Sequence, residues 1–524
     1  MTNKSLKVAA YVAKIPPCNN LCPAKENIRF WLSLVKEKKY HEAWKVILQK
    51  NPFPAIHGRV CYRYCETGCN RMKYDSTVKI HCVERFLGDI ALKRNWISSV
   101  SNIKIDKRIL VIGSGPAGLS AAYYLRLFGY DVTIYESLPK AGGMMLVGIP
   151  SYRLPRNILY GEIKRILNTG IKIEYNHKVE NVIKERNDGG FDAVFLAIGA
   201  HIGRSATIPM KNQCIVMVAV DYLRKIALGE SPFLGERLVV YGGGNTAIDV
   251  ARSAKRFGVS KVNIIYHRAR NQSLAFNHEI EAALAEGIEF TFLQSIISLN
   301  HKKLTLNVNK LDNKGQPIGT GKVAILEIDA LIFALGQVSD SKFLHKISEI
   351  EFQQNGAVIT DNFFATGSCG IFAGGDMTIF GRSVTEAVSQ GKRAAHCIDR
   401  FLKSSLNTDK SFPNKEFESL DKLHTSDWLP QTISKENTGI NNSIKSFAET
   451  TLSCTQDEIL CESKRCLSCG NCFGCGKCYA VCHVNAITHS VNGKIITIDP
   501  VKCIGCNRCF KTCPCGSIDM INRA

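Results

Sequence analysis

Arg108-Ile109-Leu110-Val111-Ile112-Gly113-Ser114-Gly115-Pro116-Ala117-Gly118 is the stretch on which the fold turns. An apolar run of strand character enters Gly113-x-Gly115-x-x-Gly118, and a helical stretch, Leu119 to Phe128, follows it. A second strand begins at Asp131 and ends at Glu136. A glycine triplet alone is a weak signal. Strand, glycine loop, helix, strand and terminal acid in this order form a βαβ unit that holds a dinucleotide. The glycines permit a tight turn and let the backbone approach a pyrophosphate. Pro116 and Ala117 complete the loop, the helix N-terminus faces the phosphates, and Glu136 accepts from ribose hydroxyls.

A second unit begins at Arg237-Leu-Val-Val-Tyr241 and continues through Gly242-Gly243-Gly244-Asn245-Thr246-Ala247, a helix, and the strand Lys261 to Tyr266. Alanine stands at the third glycine position, which the fingerprint allows. This strand runs into His267-Arg268-Ala269-Arg270 rather than an acid. An acid repels a 2′-phosphate, whereas a guanidinium binds it bidentately, so NADP is favoured over NAD. Two solvated arginines are the alternative, and His267 reads as lining the nucleotide rather than as a base. Two units imply two dinucleotides. Two return strands end in glycine: Phe191 to Gly199, through Ala197, and Asp329 to Gly336. Gly370-Ile-Phe-Ala-Gly374-Gly375-Asp376 then precedes a helix from Ser383 to Leu402 that carries Thr385 in its first turn. A strand that ends at an aspartate and feeds a helix suits a flavin ribityl chain.

Toward the C-terminus, cysteine recurs at 466, 469, 472, 475, 478 and 482, then at 503, 506, 509 and 513, followed by Pro514. The spacing C-x2-C-x2-C-x3-C, used twice, is that of a bacterial two-cluster ferredoxin. Soft thiolates hold iron–sulfur cubanes, and the fourth ligand of each cluster comes from the other run. The expected quartets are therefore Cys472, Cys475, Cys478 with Cys513, and Cys503, Cys506, Cys509 with Cys482. A zinc ribbon is the alternative, but it uses four cysteines. Cys466 and Cys469 are left over. At the other end, residues 1–105 read as helical, with Ile28 to Val35 and Tyr40 to Leu48 at helical apolar spacing. Loop cysteines Cys18, Cys22, Cys61, Cys65 and Cys69 suggest cluster ligation, with zinc as runner-up. Cys82, Cys214, Cys369, Cys397, Cys454, Cys461 and Cys515 read as packing residues.

Composition sets outer bounds. A chain of 524 residues suggests three or four domains. It has no apolar run of about 18 residues, hence no expected membrane span, and no signal-peptide core after Met1-Thr2-Asn3-Lys4. Twenty-two cysteines without an export signal point to metal ligation in a reducing, cytoplasmic compartment. The net charge of +21 is either a bias toward lysine or a means of steering toward an acidic redox partner. No nucleic-acid motif and no Ser/His/Asp elbow accompany it. The flavin region also lacks the Cys-x4-Cys spacing of disulfide reductases.

Taken together, Gly113 to Gly118 with Glu136, Ala141-Gly142-Gly143, Gly148-Ile-Pro-x-x-Arg153-Leu-Pro, Gly242 to Ala247, Ala334-x-Gly336-Gln337 and Gly374-Gly375-Asp376 resemble the small-subunit family of NADPH-dependent glutamate synthase. The same module forms the reductase end of dihydropyrimidine dehydrogenase. The resemblance implies an α/β fold with two Rossmann-like domains: an FAD domain at 106–230 and 335–405, and an inserted NAD(P)H domain at 231–334. It implies an N-terminal helical iron–sulfur domain at 1–105, followed at the far end by a linker at 406–465 and the ferredoxin domain at 466–524. In this family one N-terminal cluster takes three cysteines plus Gln or Glu, here Cys22, Cys61, Cys65 and Glu84, with an exposed helical Glu84 as the alternative. The other takes an N-terminal Arg-Cys-Leu-x-Cys phrase that is absent from the N-terminal region here. Arg465-Cys466-Leu467-Ser468-Cys469 matches it, so Cys18, Cys69, Cys466 and Cys469 are expected to close one cluster, for four [4Fe–4S] clusters in all.

Among members with a C-terminal ferredoxin, Ala10 to Asn20 is most similar to the DsrL flavoproteins of reverse dissimilatory sulfite reductase systems in sulfur oxidisers. The resemblance implies hydride transfer between NAD(P)H and FAD, with no side chain assigned as catalytic. Electrons then pass to a redox protein partner, a sulfite reductase or a ferredoxin, within a homo- or hetero-oligomer. An NADPH:ferredoxin oxidoreductase or glutamate synthase small subunit, and a non-catalytic electron-transfer subunit, are the competing functions.

Overall fold

The computed structural model describes residues 7–98, 100, 103–212, 214–379, 382–403, 423, 446–489 and 496–523. Most of the expected linker lies outside the described residues. The chain divides into two compact units. One comprises Ile97–Leu406 with Asn437–Leu452, and the other Met1–Trp96 with Asn407–Glu436 and Ser453–Ala524.

The larger unit holds two parallel five-stranded sheets. The first runs Ile371–Ala373, Ala193–Leu196, Arg108–Ile112, Asp131–Tyr135, Lys172–Glu174. Its central strands are near-continuous apolar runs because helices cover a parallel sheet on both faces. Helices Pro116–Phe128 and Val384–Leu402 pack against each other beside it. The second sheet runs Glu289–Phe292, Lys261–Tyr266, Arg237–Tyr241, Ala330–Phe333, Ile215–Val218. It starts earlier than the expected 231, because Ile215–Val218 pairs in parallel with Ala330–Phe333. An unforeseen four-stranded sheet is built from Met210–Asn212, Gln294–His301, Lys303–Leu311 and Pro317–Glu327.

A buried ionic chain ties the two dinucleotide domains together. Arg153 pairs with Asp249 at 2.8 Å and with Glu279 at 3.0 Å. Arg252 pairs with Glu279 and Glu286, and Arg256 with Glu286, at 2.6–2.8 Å. Guanidiniums 252 and 256 lie over the Tyr152 ring. Within the expected linker, Thr450 N–H donates to the Tyr152 carbonyl at 3.0 Å, and Phe447 packs beside Tyr152 and Phe257.

The smaller unit packs helices Ile28–Lys36, Tyr40–Leu48 and Ile80–Lys93 around Trp31, Val35, Ile47, Val83 and Leu87. The end of the expected linker is another helix, Gln456–Lys464, which adds Ile459 to this core. Thr455 caps it, and Glu458 completes the capping box by accepting from the Thr455 N–H at 2.6 Å. The boundary expected at 466 is crossed in a second way. Lys7–Tyr11 pairs antiparallel with Ile518–Asn522 along its whole length. Val12 N–H donates to the Ser517 carbonyl, Lys14 N–H to the Gly470 carbonyl, and Lys14 Nζ pairs with Asp519 at 3.0 Å. The ferredoxin-like module thus takes a strand from the start of the chain.

Candidate functional site: two dinucleotide cradles and four cysteine groups

A cavity of about 340 Å3 opens where the strands Arg108–Ile112, Asp131–Tyr135 and Ala193–Leu196 end. The expected residues Gly113, Gly115, Pro116, Ala117, Glu136, Gly143, Ala197, Gly199, Gly375 and Asp376 line it. A Cβ at Gly113 would stand 2.5 Å from the Ala197 carbonyl, so only glycine fits there, at φ +102°. Gly118 lies behind the loop, where a Cβ would strike the Gly113 carbonyl. Glu136 is held by Ser114 N–H at 2.9 Å, by the Ser114 hydroxyl, and by Leu138 N–H at 2.8 Å. Asp376 Oδ1 is buried without a partner among the described residues, and burial pushes its carboxyl up to about 6. A deep acceptor without a donor, beside an open glycine cradle, fits the hydroxyls and pyrophosphate of FAD.

Three further residues expected to bind cofactor make contacts of their own. Arg153 is turned into its ion pairs with Asp249 and Glu279. Ser383 caps the final helix of this unit by accepting from Glu386 N–H at 3.1 Å, and Thr385 is buried within that helix. The cavity also uses residues that the motifs did not point to. His177 stacks on Tyr135 with centroids 3.9 Å apart, and His201, Arg224 and Phe343 also line the cavity.

The second cradle repeats the first. A Cβ at Gly242 would stand 2.3 Å from the Ala334 carbonyl, and Gly244 faces open space. Asn245 Oδ1 accepts from Phe276 N–H at 3.2 Å, which fixes the loop beside Thr246, while Ala247 is buried. Gly336 closes the return strand at φ +93°, its carbonyl accepting from Arg204 N–H. The two expected arginines differ. Arg270 is exposed and paired with Glu281 at 2.5 Å, whereas Arg268 Nε is buried without a partner among the described residues. The His267 imidazole is held below its ordinary range by burial and then by Arg268.

The cysteines gather as four groups. Burial, then Cys466, Cys469 and Cys69, push the Cys18 thiol up. Burial raises Cys69 to about 11 and Cys469 to about 12. Cys65 is pushed up by burial, then by Glu66, Cys22 and Cys61. Glu84 is pushed up by burial, then by Glu26 and Cys61. Cys472, Cys475, Cys478 and Cys513 line one small cavity, and Cys482, Cys503, Cys506 and Cys509 line another. Burial keeps the Cys18, Cys65, Cys69 and Cys469 thiols protonated until a metal displaces the proton.

A tetrahedral zinc, at about 2.3 Å from sulfur, draws its sulfurs to within roughly 4 Å of one another. Among the described residues, the one group whose ligand atoms all lie within 4.8 Å is Glu26, His57 and Glu84. Glu84 is not exposed. Asn51 Nδ2 donates to it at 2.8 Å and to Glu26 at 2.9 Å.

What seats Cys466 and Cys469 against the N-terminal helices is a pair of buried arginines. Arg71 donates to the Arg465 carbonyl at 3.0 Å and grips Asp75 twice at 2.7 Å. Arg465 pairs with Glu462 at 2.6 Å and with Asp75 at 3.1 Å, and bonds the Ser76 carbonyl. Glu462 Oε2 also accepts from Lys79 N–H. Of these residues, Arg465 stood within the matched phrase, whereas nothing in the sequence marked Arg71 or Asp75.

Two dinucleotide cradles with four gathered groups of cysteines define a flavin- and nicotinamide-dependent iron–sulfur oxidoreductase. The chain belongs to the pyridine nucleotide-disulphide oxidoreductase family, whose model matches residues 107–391. Residues 10–96 match dihydropyrimidine dehydrogenase domain II, 4Fe-4S cluster, and residues 471–517 match the 4Fe-4S dicluster domain. The chain is 36% identical over 430 residues to the NADP(+)-dependent formate dehydrogenase subunit beta of Moorella thermoacetica, covering 75% of this chain and 60% of that one. It is 30% identical over 502 residues to the NADPH-Fe(3+) oxidoreductase subunit beta of Geobacter sulfurreducens, with 86% and 75% covered. It is 30% identical over 419 residues to the glutamate synthase [NADPH] small chain of Escherichia coli, with 74% and 89% covered.

FprA of Mycobacterium tuberculosis, solved with NADPH, shares the fold at a TM-score of 0.50 and 18% identity, over 69% of this chain and 100% of FprA. The chain is thus an NAD(P)H-dependent flavin and iron–sulfur oxidoreductase related to the glutamate synthase small chain. FAD, NADP and 4Fe–4S clusters are its cofactors. Among the described residues no helix is long and apolar enough to cross a membrane.

Proposed function

We propose that this chain is the nicotinamide-linked subunit of a cytoplasmic redox assembly, exchanging electrons between NADP(H) and a separate protein through FAD and four [4Fe–4S] clusters. The observation that supports it is the gathering of Cys18, Cys69, Cys466 and Cys469, brought from both ends of the sequence, beside three further groups of ligands. FAD held in the first cradle would supply the exchange between two-electron hydride chemistry and single electrons. The chain's own residues bind and orient. Glu136 and Asp376 fix the flavin nucleotide, Gly115 and Gly244 let phosphates approach the backbone, and Arg268 holds the 2′-phosphate. The thiolates and Glu84 hold iron. Replacing Cys466 and Cys469 with serine lowers bound iron from about sixteen to about twelve atoms per chain. Unchanged iron refutes the cross-chain quartet.

For the partner, the likeness of Ala10 to Asn20 to DsrL favours a siroheme sulfite reductase, with electrons from sulfur oxidation reducing NADP+. The relatives named subunit beta favour a second reading, in which a different dehydrogenase or a ferredoxin is the partner. Anaerobic assays with NADPH and purified sulfite reductase or ferredoxin decide between them. Reduction of ferredoxin alone removes the first reading. Flavin that fails to bleach on adding NADPH leaves only a non-catalytic electron carrier.

A further inference from the structure

We infer that Asn70 is a positioning residue that sets the reduction potential of the cluster held by Cys18, Cys69, Cys466 and Cys469, an inference that rests on that ligand assignment. Asn70 Nδ2 donates to Cys469 Sγ at 3.4 Å, across 399 positions of sequence. Four N–H···S bonds at other proposed ligands come instead from backbone amides: Ala9 to Cys503, Ser468 to Cys466, Gly474 to Cys472 and Ala486 to Cys482. Those amides are supplied by any sequence that folds this way. Asn70 is instead a chosen side chain, and a substitution removes its donor without touching the backbone.

The local fold explains how it reaches. Asn70 follows the ligand Cys69 directly and opens the short 3-10 turn Asn70–Lys73. Its neighbour Arg71 is fully buried and anchors the Arg465 carbonyl, one residue before Cys466. The same turn therefore holds the backbone of the Cys466–Cys469 phrase with one side chain and the thiolate of Cys469 with the next. Reduction places one more electron on the cluster and makes or breaks no bond. The added charge spreads over the sulfurs, so an N–H donor aimed at a thiolate stabilises the reduced form more than the oxidised form. The bond is charge-assisted and sits in a half-buried site, which strengthens it. Asn70 accordingly raises the potential of this one cluster, the junction between the N-terminal domain and the ferredoxin-like module in sequence.

The test is an anaerobic dithionite titration of the full holoprotein followed by electron paramagnetic resonance, on wild type, Asn70→Ala, Asn70→Asp and Asn70→Gln. In Asn70→Ala the ratio of reduced to oxidised cluster at a fixed potential falls about tenfold for one cluster, a shift of ~59 mV for one electron. Asn70→Asp, equal in shape but without the donor, falls at least as far. Asn70→Gln recovers part of the shift, and iron content stays at the wild-type level throughout. Midpoints unchanged at full iron overturn the inference. So does iron loss in both Asn70→Ala and Asn70→Asp, or an equal shift of every cluster. The ligand assignment is judged apart from this, by the iron content of Cys469→Ser.

Discussion

Arg268 and Arg270 stood side by side as candidates for a 2′-phosphate, and their surroundings separate them. Arg270 already spends its charge on Glu281 at the surface, whereas the buried Nε of Arg268 has no partner among the described residues. A charged hydrogen bond of about 1.5–3 kcal/mol rests on such a group. Arg268→Ala therefore raises KM for NADPH roughly 10- to 100-fold and leaves KM for NADH nearly unchanged. Arg270→Ala moves both by less than about threefold. Steady-state kinetics with the two nucleotides check this, and an equal loss with NADH means that Arg268 supports the loop rather than the phosphate. The motif placed both arginines at the end of the right strand. Which one is free depends on Glu281, on a helix whose docking no local pattern encodes. Arg153 teaches the same lesson in reverse. It sits in a segment shared with flavoproteins of this family, yet Asp249 and Glu279 from the second dinucleotide domain claim its guanidinium.

Elements were legible where their pattern is local. Apolar spacing located the helices Ile28–Lys36 and Tyr40–Leu48, and the glycine loops located both central strands. The sheet through Lys303–Leu311 was missed although Leu304, Leu306 and Val308 alternate with Thr305, Asn307 and Asn309, the period-two signal of a half-buried strand. Helix Gln456–Lys464 was absorbed into a linker because its surroundings are polar. Its Thr455–Glu458 capping box was nevertheless visible in the sequence. This helix exists to deliver Arg465. Both Arg465 and Glu462 are fully buried and paired at 2.6 Å. Removing one partner of a buried ion pair leaves the other charge desolvated, at about 3–5 kcal/mol. Arg465→Met is therefore expected to lower thermal stability by that amount and to lose the iron of one cluster, while Glu462→Gln costs less because an amide still accepts from Lys79. Calorimetry with iron analysis distinguishes this from a surface change, which leaves both quantities as they were.

At the scale of the molecule, the surplus of cysteines near 466 and the deficit near 18 announced that distant segments meet, because ligand number is a constraint the chain must satisfy globally. The strand pairing that accompanies it carried no such signal. Lys7–Tyr11 and Ile518–Asn522 are short, and a two-stranded ladder between positions so far apart leaves no local trace. Its consequence is physical. Val8 and Ala9 are buried with Cys503, Cys509 and Ile518 in one small core, and Ala9 N–H donates to Cys503 Sγ at 3.4 Å. Residues 466–524 alone would expose that core and leave Ile518–Asn522 as an unpaired edge. A fragment of residues 466–524 is thus expected to bind fewer than the about eight iron atoms of two cubanes and to lose them quickly in air. The same fragment with residues 7–14 joined through a flexible linker regains them. Iron counting and the decay of the cluster absorbance report both. If the bare fragment holds its full iron as durably as the joined one, the N-terminal strand is ornamental, and the ferredoxin-like module folds independently of the N-terminal segment.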